Sequence, residues 1–223
     1  ASVRGPLSLA RGALTATGNS NYGWFGGGDT PSGPGPIEYT VVQRIDFSND
    51  LSTASIRGPL TSPGRSNLAA TGNSNYGWFG GGALPGPPYN SSIVDRITYA
   101  TDTATASVRG TLGNERYSLA AAGDNTTYGW YGGGREAPDQ RSNIRRITYA
   151  TDTATASLRG PLTSARYQIG GTADTTYGWF AGGASASSTV DRIIFATDTA
   201  TAGVRGPLAT ASGYMRGSAS GIQ

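Results

Sequence analysis

The chain has 223 residues, of which 35 Gly and 12 Pro make up about a fifth, short of the roughly 25–30% that marks low-complexity sequence. Leu, Ile, Val and Phe are sparse, yet a net charge of +3 is far too small to keep the chain expanded, so an ordered fold is expected. All 17 basic residues are Arg and neither His nor Cys occurs, which excludes disulfides, zinc held by thiolate or imidazole, and any His-based triad; no metal and no cofactor are expected.

Residues 1–7, Ala-Ser-Val-Arg-Gly-Pro-Leu, open a pattern that recurs. Arg-Gly-Pro-Leu stands at 4–7, 57–60, 159–162 and 205–208, with Arg109-Gly110-Thr111-Leu112 between them, at starts 53, 52, 50 and 46 residues apart. Between these markers four strand-length segments follow one another, as in 67–71, 76–82, 94–99 and 103–109. The first two are joined by Gly-Asn-Ser-Asn at 18–21 and 72–75 and by Gly-Asp-Asn-Thr at 123–126, small residues that tolerate positive φ in a tight hairpin. The last two meet at Ala-Thr-Asp-Thr, 100–103, 150–153 and 196–199, where Asp is expected to hydrogen-bond its own backbone two residues on. Each unit therefore reads as a four-stranded antiparallel meander. Four units are complete, over about 8–57, 61–109, 113–159 and 163–205. Residues 1–7 are a fourth strand without its own unit, and 206–223 a first strand without its continuation.

Alternation within the second segment places Tyr76 and Trp78 on one face and Phe79 on the other, so both faces need cover. Copies of a four-stranded sheet at this period satisfy that need by stacking face to face around an axis, which predicts an all-β chain forming a single β-propeller domain over 1–223. The Gly run is expected near the crowded axis. In the fourth copy Ala181 replaces only its first Gly, so the second and third are the positions expected to need unusual φ. Ring closure stays open between four blades closed compactly, blades completed by neighbouring subunits, and a piece of a longer array.

An Arg before the first strand (Arg11, Arg65, Arg116, Arg166), an aromatic strand ending in Gly-Gly (27–28, 81–82, 133–134, 182–183), a third strand ending in an aromatic, and a turn into a fourth strand together resemble the kelch repeat. The resemblance spans nearly the whole chain and implies a propeller of kelch-like blades. It departs in the fourth strand, where Ile56, Val108, Leu158 and Val204 stand instead of Trp, and at Ser212, which takes the place of the leading Arg. The Tyr-Gly-Trp-Phe-Gly-Gly-Gly and Asp-Arg-Ile phrasing is also similar to kelch-like arrays in structural proteins of marine bacteriophages, including cyanophages. That likeness implies a virion or other extracellular location, for example in a tail fibre or receptor-recognition part.

In such a meander the one-to-two and three-to-four connections share one rim, and the two-to-three and blade-to-blade connections share the other. The first rim barely varies. On the second, the two-to-three connections at 29–41, 83–93, 135–143 and 184–189 have 13, 11, 9 and 6 residues and unrelated content. Variable loops on a repeating scaffold are where specificity is placed, although such loops also drift without any ligand. The candidate binding residues are Asp29, Glu38, Tyr39, Leu84, Tyr89, Asn90, Arg135, Glu136, Asp139 and Arg141. Exchanging 29–41 for the short 184–189 type is expected to preserve folding and change partner choice.

The repeated Arg57, Arg109, Arg159 and Arg205 are expected to tie one blade to the next, with anion binding as the alternative. Trp24, Trp78, Trp130 and Trp179 are expected between blades, with stacking on sugars as the alternative. No phosphate loop is expected, because no helix follows the Gly run, and no singular acid pair suggests hydrolysis. The resulting expectation is a non-enzymatic binding or assembly module. Its expected partners are other protein subunits of a homo- or hetero-oligomer, with cell-surface glycans as a further class. A multivalent lectin and, more remotely, a glycoside hydrolase are the rival functions. No nucleic-acid partner is expected, because the Arg residues are scattered among 14 acids rather than gathered in a stripe. No run is long and apolar enough to suggest membrane insertion.

Overall fold

The structure, a computed structural model, describes residues 2–32 and 35–213. Ala1, Gly33, Pro34 and the 214–223 part of the final partial strand lie outside the described residues. The chain forms four four-stranded antiparallel sheets arranged as a four-bladed β-propeller. The first blade comprises Thr15–Gly18, Tyr22–Gly26, Val42–Asp46 and Ser55–Ile56; the second, Ala69–Gly72, Tyr76–Gly80, Ile93–Thr98 and Ser107–Thr111. The third comprises Ala120–Gly123, Tyr128–Gly132, Ile144–Thr148 and Ser157–Arg159; the fourth, Gly170–Ala173, Tyr177–Ala181, Val190–Ile194 and Gly203–Arg205. Strand order within each blade follows the chain, so the meander expected from the repeat is present in all four.

The hairpins between first and second strands close by a mechanism other than positive φ. Asn19 Oδ1 accepts the backbone N–H groups of Asn21 and Tyr22, Asn73 Oδ1 those of Asn75 and Tyr76, and Asp174 Oδ1 those of Thr176 and Tyr177. An Asx side-chain oxygen thus stands in for a backbone acceptor of the turn, and among these loops only Asn125 has positive φ. Between third and fourth strands each blade makes a short 3-10 turn, Tyr99–Thr101 in the second, closed by the recurring Asp.

First strands of successive blades pack against one another, and they are built from Ala, Thr and Gly. Ala69, Ala70, Ala120, Ala121 and Ala122 are wholly buried. Small residues are required here because neighbouring backbones converge. The crowding expected for the Gly run therefore falls on the first strands. The run itself serves two other purposes. Its first member makes room for a ring of the next blade: a Cβ added at Gly80 would lie 2.7 Å from Tyr131. Its second and third members have positive φ in every blade, for example 71° and 114° at Gly81 and Gly82, as the Ala181 comparison predicts.

The two-sided strand also behaves as its alternation demands. Trp78 joins a core cluster with Leu119, Tyr131 and Tyr149 of the following blade, while Phe79 joins one with Trp24 and Val42 of the preceding blade. A third cluster unites Trp130 and Ile144 with Phe180 and Ile193. Among the described residues, the hydrophobic core is thus three separate inter-blade layers.

Candidate functional site

The repeated residues converge on the three junctions. At each, Trp of one blade donates its indole Nε1 to a carboxylate of the next: Trp24 to Asp102 at 2.9 Å, Trp78 to Asp152 at 2.8 Å, and Trp130 to Asp198 at 2.7 Å. The same indoles lie flat on Tyr99, Tyr149 and Phe195, with ring centroids 3.9, 4.0 and 4.0 Å apart. Two Arg of the earlier blade then neutralise the acceptor. Arg44 and Arg57 reach Asp102 at 2.9 and 3.5 Å, and Arg96 and Arg109 reach Asp152 at 3.1 and 2.8 Å. Arg146 and Arg159 reach Asp198 at 3.0 and 3.4 Å. Arg44, Arg96 and Arg146 also lie over Tyr22, Tyr76 and Tyr128.

From sequence alone these Asp residues are expected to bond their own turns. Instead Asp102, Asp152 and Asp198 end a 3-10 turn and turn their carboxylates into the preceding blade. The sequence signal for this role is their constant place three residues after an aromatic, one for each Trp of the blade before.

The Arg at the start of each blade works inward. Arg65 Nη2 meets Asp95 Oδ2 at 2.6 Å and Arg166 Nη2 meets Asp191 Oδ2 at 2.6 Å, with all four residues buried. In each case Arg Nη1 also donates to two carbonyls of its own blade, and Thr61 or Thr163 donates to the carboxylate. In the first and third blades the carboxylate is replaced by Gln43 and Arg145. Arg116, wholly buried, there keeps carbonyl bonds to Gly133 and Asn143 but leaves Nε and Nη2 without partners. Desolvation pulls the Arg11 and Arg116 guanidinium groups down to about 10.

The variable rim is partly ordered by its own hairpins, Asp29–Ser32 with Gly35–Glu38 and Arg135–Glu136 with Asp139–Gln140. Asp29 and Glu38 face each other across the first of these. Burial, with some help from Asp29, raises the Glu38 carboxyl above its ordinary range. Tyr39 Oη lies 3.2 Å from Thr30 Oγ1. In the third blade the candidates engage one another: Arg141 pairs with Glu136 at 3.0 Å and with Asp139 at 3.8 Å, and Arg135 lies over Tyr167.

The second blade's connection differs. Leu84 and Asn90 line a cleft of about 220 Å³ with Pro63, Pro88, Ser92 and Glu115. Tyr89, 61% exposed and at positive φ, stands beside it. The ten candidates are therefore spread over three loops, and this cleft brings together only two of them. A second cavity, about 410 Å³, lies on the constant rim between Tyr22, Trp24, Asn75 and Tyr99.

Trp24, Trp78 and Trp130 are wholly buried and have no face free for stacking on a sugar. Among the described residues, no cluster of three or more acidic side chains could hold a metal ion. Among the described residues, no helix is long and apolar enough to cross a membrane. Blades, junctions and rims together define a β-propeller with a chemically constant frame and one variable edge. In comparisons with known proteins, no family model and no curated protein matches the chain.

Proposed function

We propose that this chain is a non-enzymatic binding or assembly module of a virion or other extracellular structure, in which the propeller is a rigid frame and the variable rim selects the partner. The observation that carries this reading is the cleft between the 83–93 loop and the blade-to-blade links. It draws part of its lining from Leu84, Pro88 and Asn90, residues peculiar to that copy. At about 220 Å³ it suits one inserted side chain or one saccharide unit. Proline on both walls limits the ordering needed on binding. The virion location rests on the resemblance of the repeat phrasing to kelch-like arrays in phage structural proteins.

A lectin is the second reading, favoured by exposed Tyr89 next to Asn90, an aromatic face beside an amide. In this form the site is the rim and not a set of repeated Trp faces, because Trp24, Trp78 and Trp130 are buried. The test is a glycan array and a panel of candidate structural subunits, each probed with the parent chain and with a variant carrying 184–189 in place of 83–93. Rim-borne binding disappears in the variant while circular dichroism and Tm stay unchanged. Binding that survives the exchange removes the cleft from the reading.

A further inference from the structure

The three junctions define what a blade requires of its successor, and among the described residues the fourth blade presents those groups unmet. Trp179 is only half-buried and, among the described residues, its indole has no carboxylate partner. Arg192 lies over Tyr177 at 4.2 Å without an Asp, and exposed Arg205 donates to the Val204 carbonyl at 3.2 Å. The glycines of the links are a sharper gauge. A Cβ added at Gly58, Gly110 or Gly160 would lie 1.9, 2.0 or 1.9 Å from a carbonyl oxygen of the next blade's turn, so each link rests flush on that turn. Around Gly206 a Cβ would meet nothing within 4 Å.

The first blade presents the complementary half. Phe47, in the place of Tyr99, Tyr149 and Phe195, is 41% exposed and has no Trp on it. Its turn is held by the chain's own first link. Gly5 N donates to the Asp50 carbonyl at 2.7 Å, as Gly58 N does to that of Asp102. Arg4 meets the Asp50 carboxylate at 3.4 Å, with both side chains about half exposed.

We propose that the open face of the fourth blade docks head to tail on the first blade of a second copy, with Arg205-Gly206-Pro207-Leu208 displacing the identical Arg4-Gly5-Pro6-Leu7 from the Asp50 turn. Trp179 then stacks on Phe47 and donates to Asp50, and Arg192 and Arg205 neutralise the same carboxylate, repeating the charge complementarity of the internal junctions. Two differences make this contact weaker than those junctions. Ala181 stands where Gly26, Gly80 and Gly132 make room for a ring, and it would crowd Phe25. Thr172 meets Phe47, which lacks the hydroxyl that Tyr99 and Tyr149 offer to Thr17 and Thr71. Reciprocal docking of two copies closes a ring, and serial docking grows a chain.

The proposal is independent of what the rim binds. Its test is sedimentation or light scattering of the full chain over a concentration series. The expected result is a shift from 22.8 kDa toward twice that mass or higher multiples. Gly206→Ala is the decisive variant. It disturbs no neighbour in the free chain but strikes a carbonyl in the docked one, so association is lost while Tm and circular dichroism stay unchanged. Gly5→Ala, whose Cβ would lie 2.0 Å from Ser52 O, evicts the first link and tightens association about tenfold; Ala181→Gly with Phe47→Tyr tightens it further. A single 22.8 kDa species at every concentration, or association that Gly206→Ala leaves intact, overturns the proposal. Either failure leaves the loop-exchange test of the rim standing.

Discussion

Asp152 accepts the indole N–H of Trp78 at 2.8 Å across 74 residues of sequence, and it is 3% exposed while holding Arg96 and Arg109. One carboxylate therefore satisfies a buried donor and two cations of the neighbouring blade. Asp152→Ala strands all three groups, and a loss of about 3 kcal/mol is expected, lowering Tm by ~6–12 °C. Asp152→Asn keeps an oxygen for Trp78 and loses only the charge, so about half that loss is expected. Thermal unfolding followed by circular dichroism checks the pair. Equal losses would mean that the indole bond contributes nothing.

The contrast between Trp78 and Asp152 explains how much of this fold was legible in the sequence. Trp78 and Phe79 could be assigned to opposite faces because strand geometry is local, with a period of two. Gly81 and Gly82 could be assigned unusual φ because Ala181 marked which Gly of the run is dispensable. The role of Asp152 was hidden because its partners lie one repeat earlier, whereas a turn explanation lay within two residues. The candidate site was less legible still. Leu84 and Asn90 meet Glu115 in the cleft only because the link into the third blade passes there, a fact of blade packing that loop composition does not carry.

Position 95 and its equivalents read Gln43, Asp95, Arg145 and Asp191, and they decide whether the buried Arg of the blade has a counter-charge. Arg145→Asp gives Arg116 the partner that Arg65 and Arg166 already have. A gain of ~1–2 kcal/mol is expected, below the full worth of the pair because Gly113 supplies no hydroxyl to match Thr61. The reverse change, Asp95→Asn, leaves Arg65 buried without its charge partner and is expected to cost about 3–5 kcal/mol. Urea unfolding of the two variants checks both signs. Destabilisation by Arg145→Asp would show that Asn114, bonded to Arg145 Nη2, matters more than the orphaned guanidinium.

Across the first two junctions a Thr hydroxyl meets a Tyr hydroxyl, Thr71 to Tyr149 at 2.8 Å, and at the third both hydroxyls are absent, with Ala122 against Phe195. The molecule thus contains its own double mutant. Thr71→Ala and Tyr149→Phe are each expected to cost about 1 kcal/mol by leaving one buried hydroxyl without its main partner, and the double variant should recover most of one loss. Additive losses in a double-mutant cycle would remove the coupling.

Stability is expected to fall above about pH 10, through buried tyrosines. Burial raises Tyr99, Tyr131 and Tyr149 well above the ordinary phenol value of about 10. A group whose folded pKa is raised stabilises fully below its unfolded pKa and loses that contribution as pH rises, because the unfolded chain releases its proton first. Arg11 and Arg116, drawn down to about 10, act oppositely: the folded chain sheds their charge early, which relieves a desolvation cost. Arg65 shifts in the same direction but retains Asp95. Three buried tyrosines are raised against two unpaired Arg that are lowered, so the tyrosines dominate. Urea midpoints measured from pH 8 to pH 11.5 should therefore stay flat and then decline from about pH 10. Tyr99→Phe should make that decline shallower, since the third junction already packs Phe195 at this place without a hydroxyl. A midpoint that rises above pH 10 would mean that the orphaned guanidinium groups, and not the phenols, control alkaline stability.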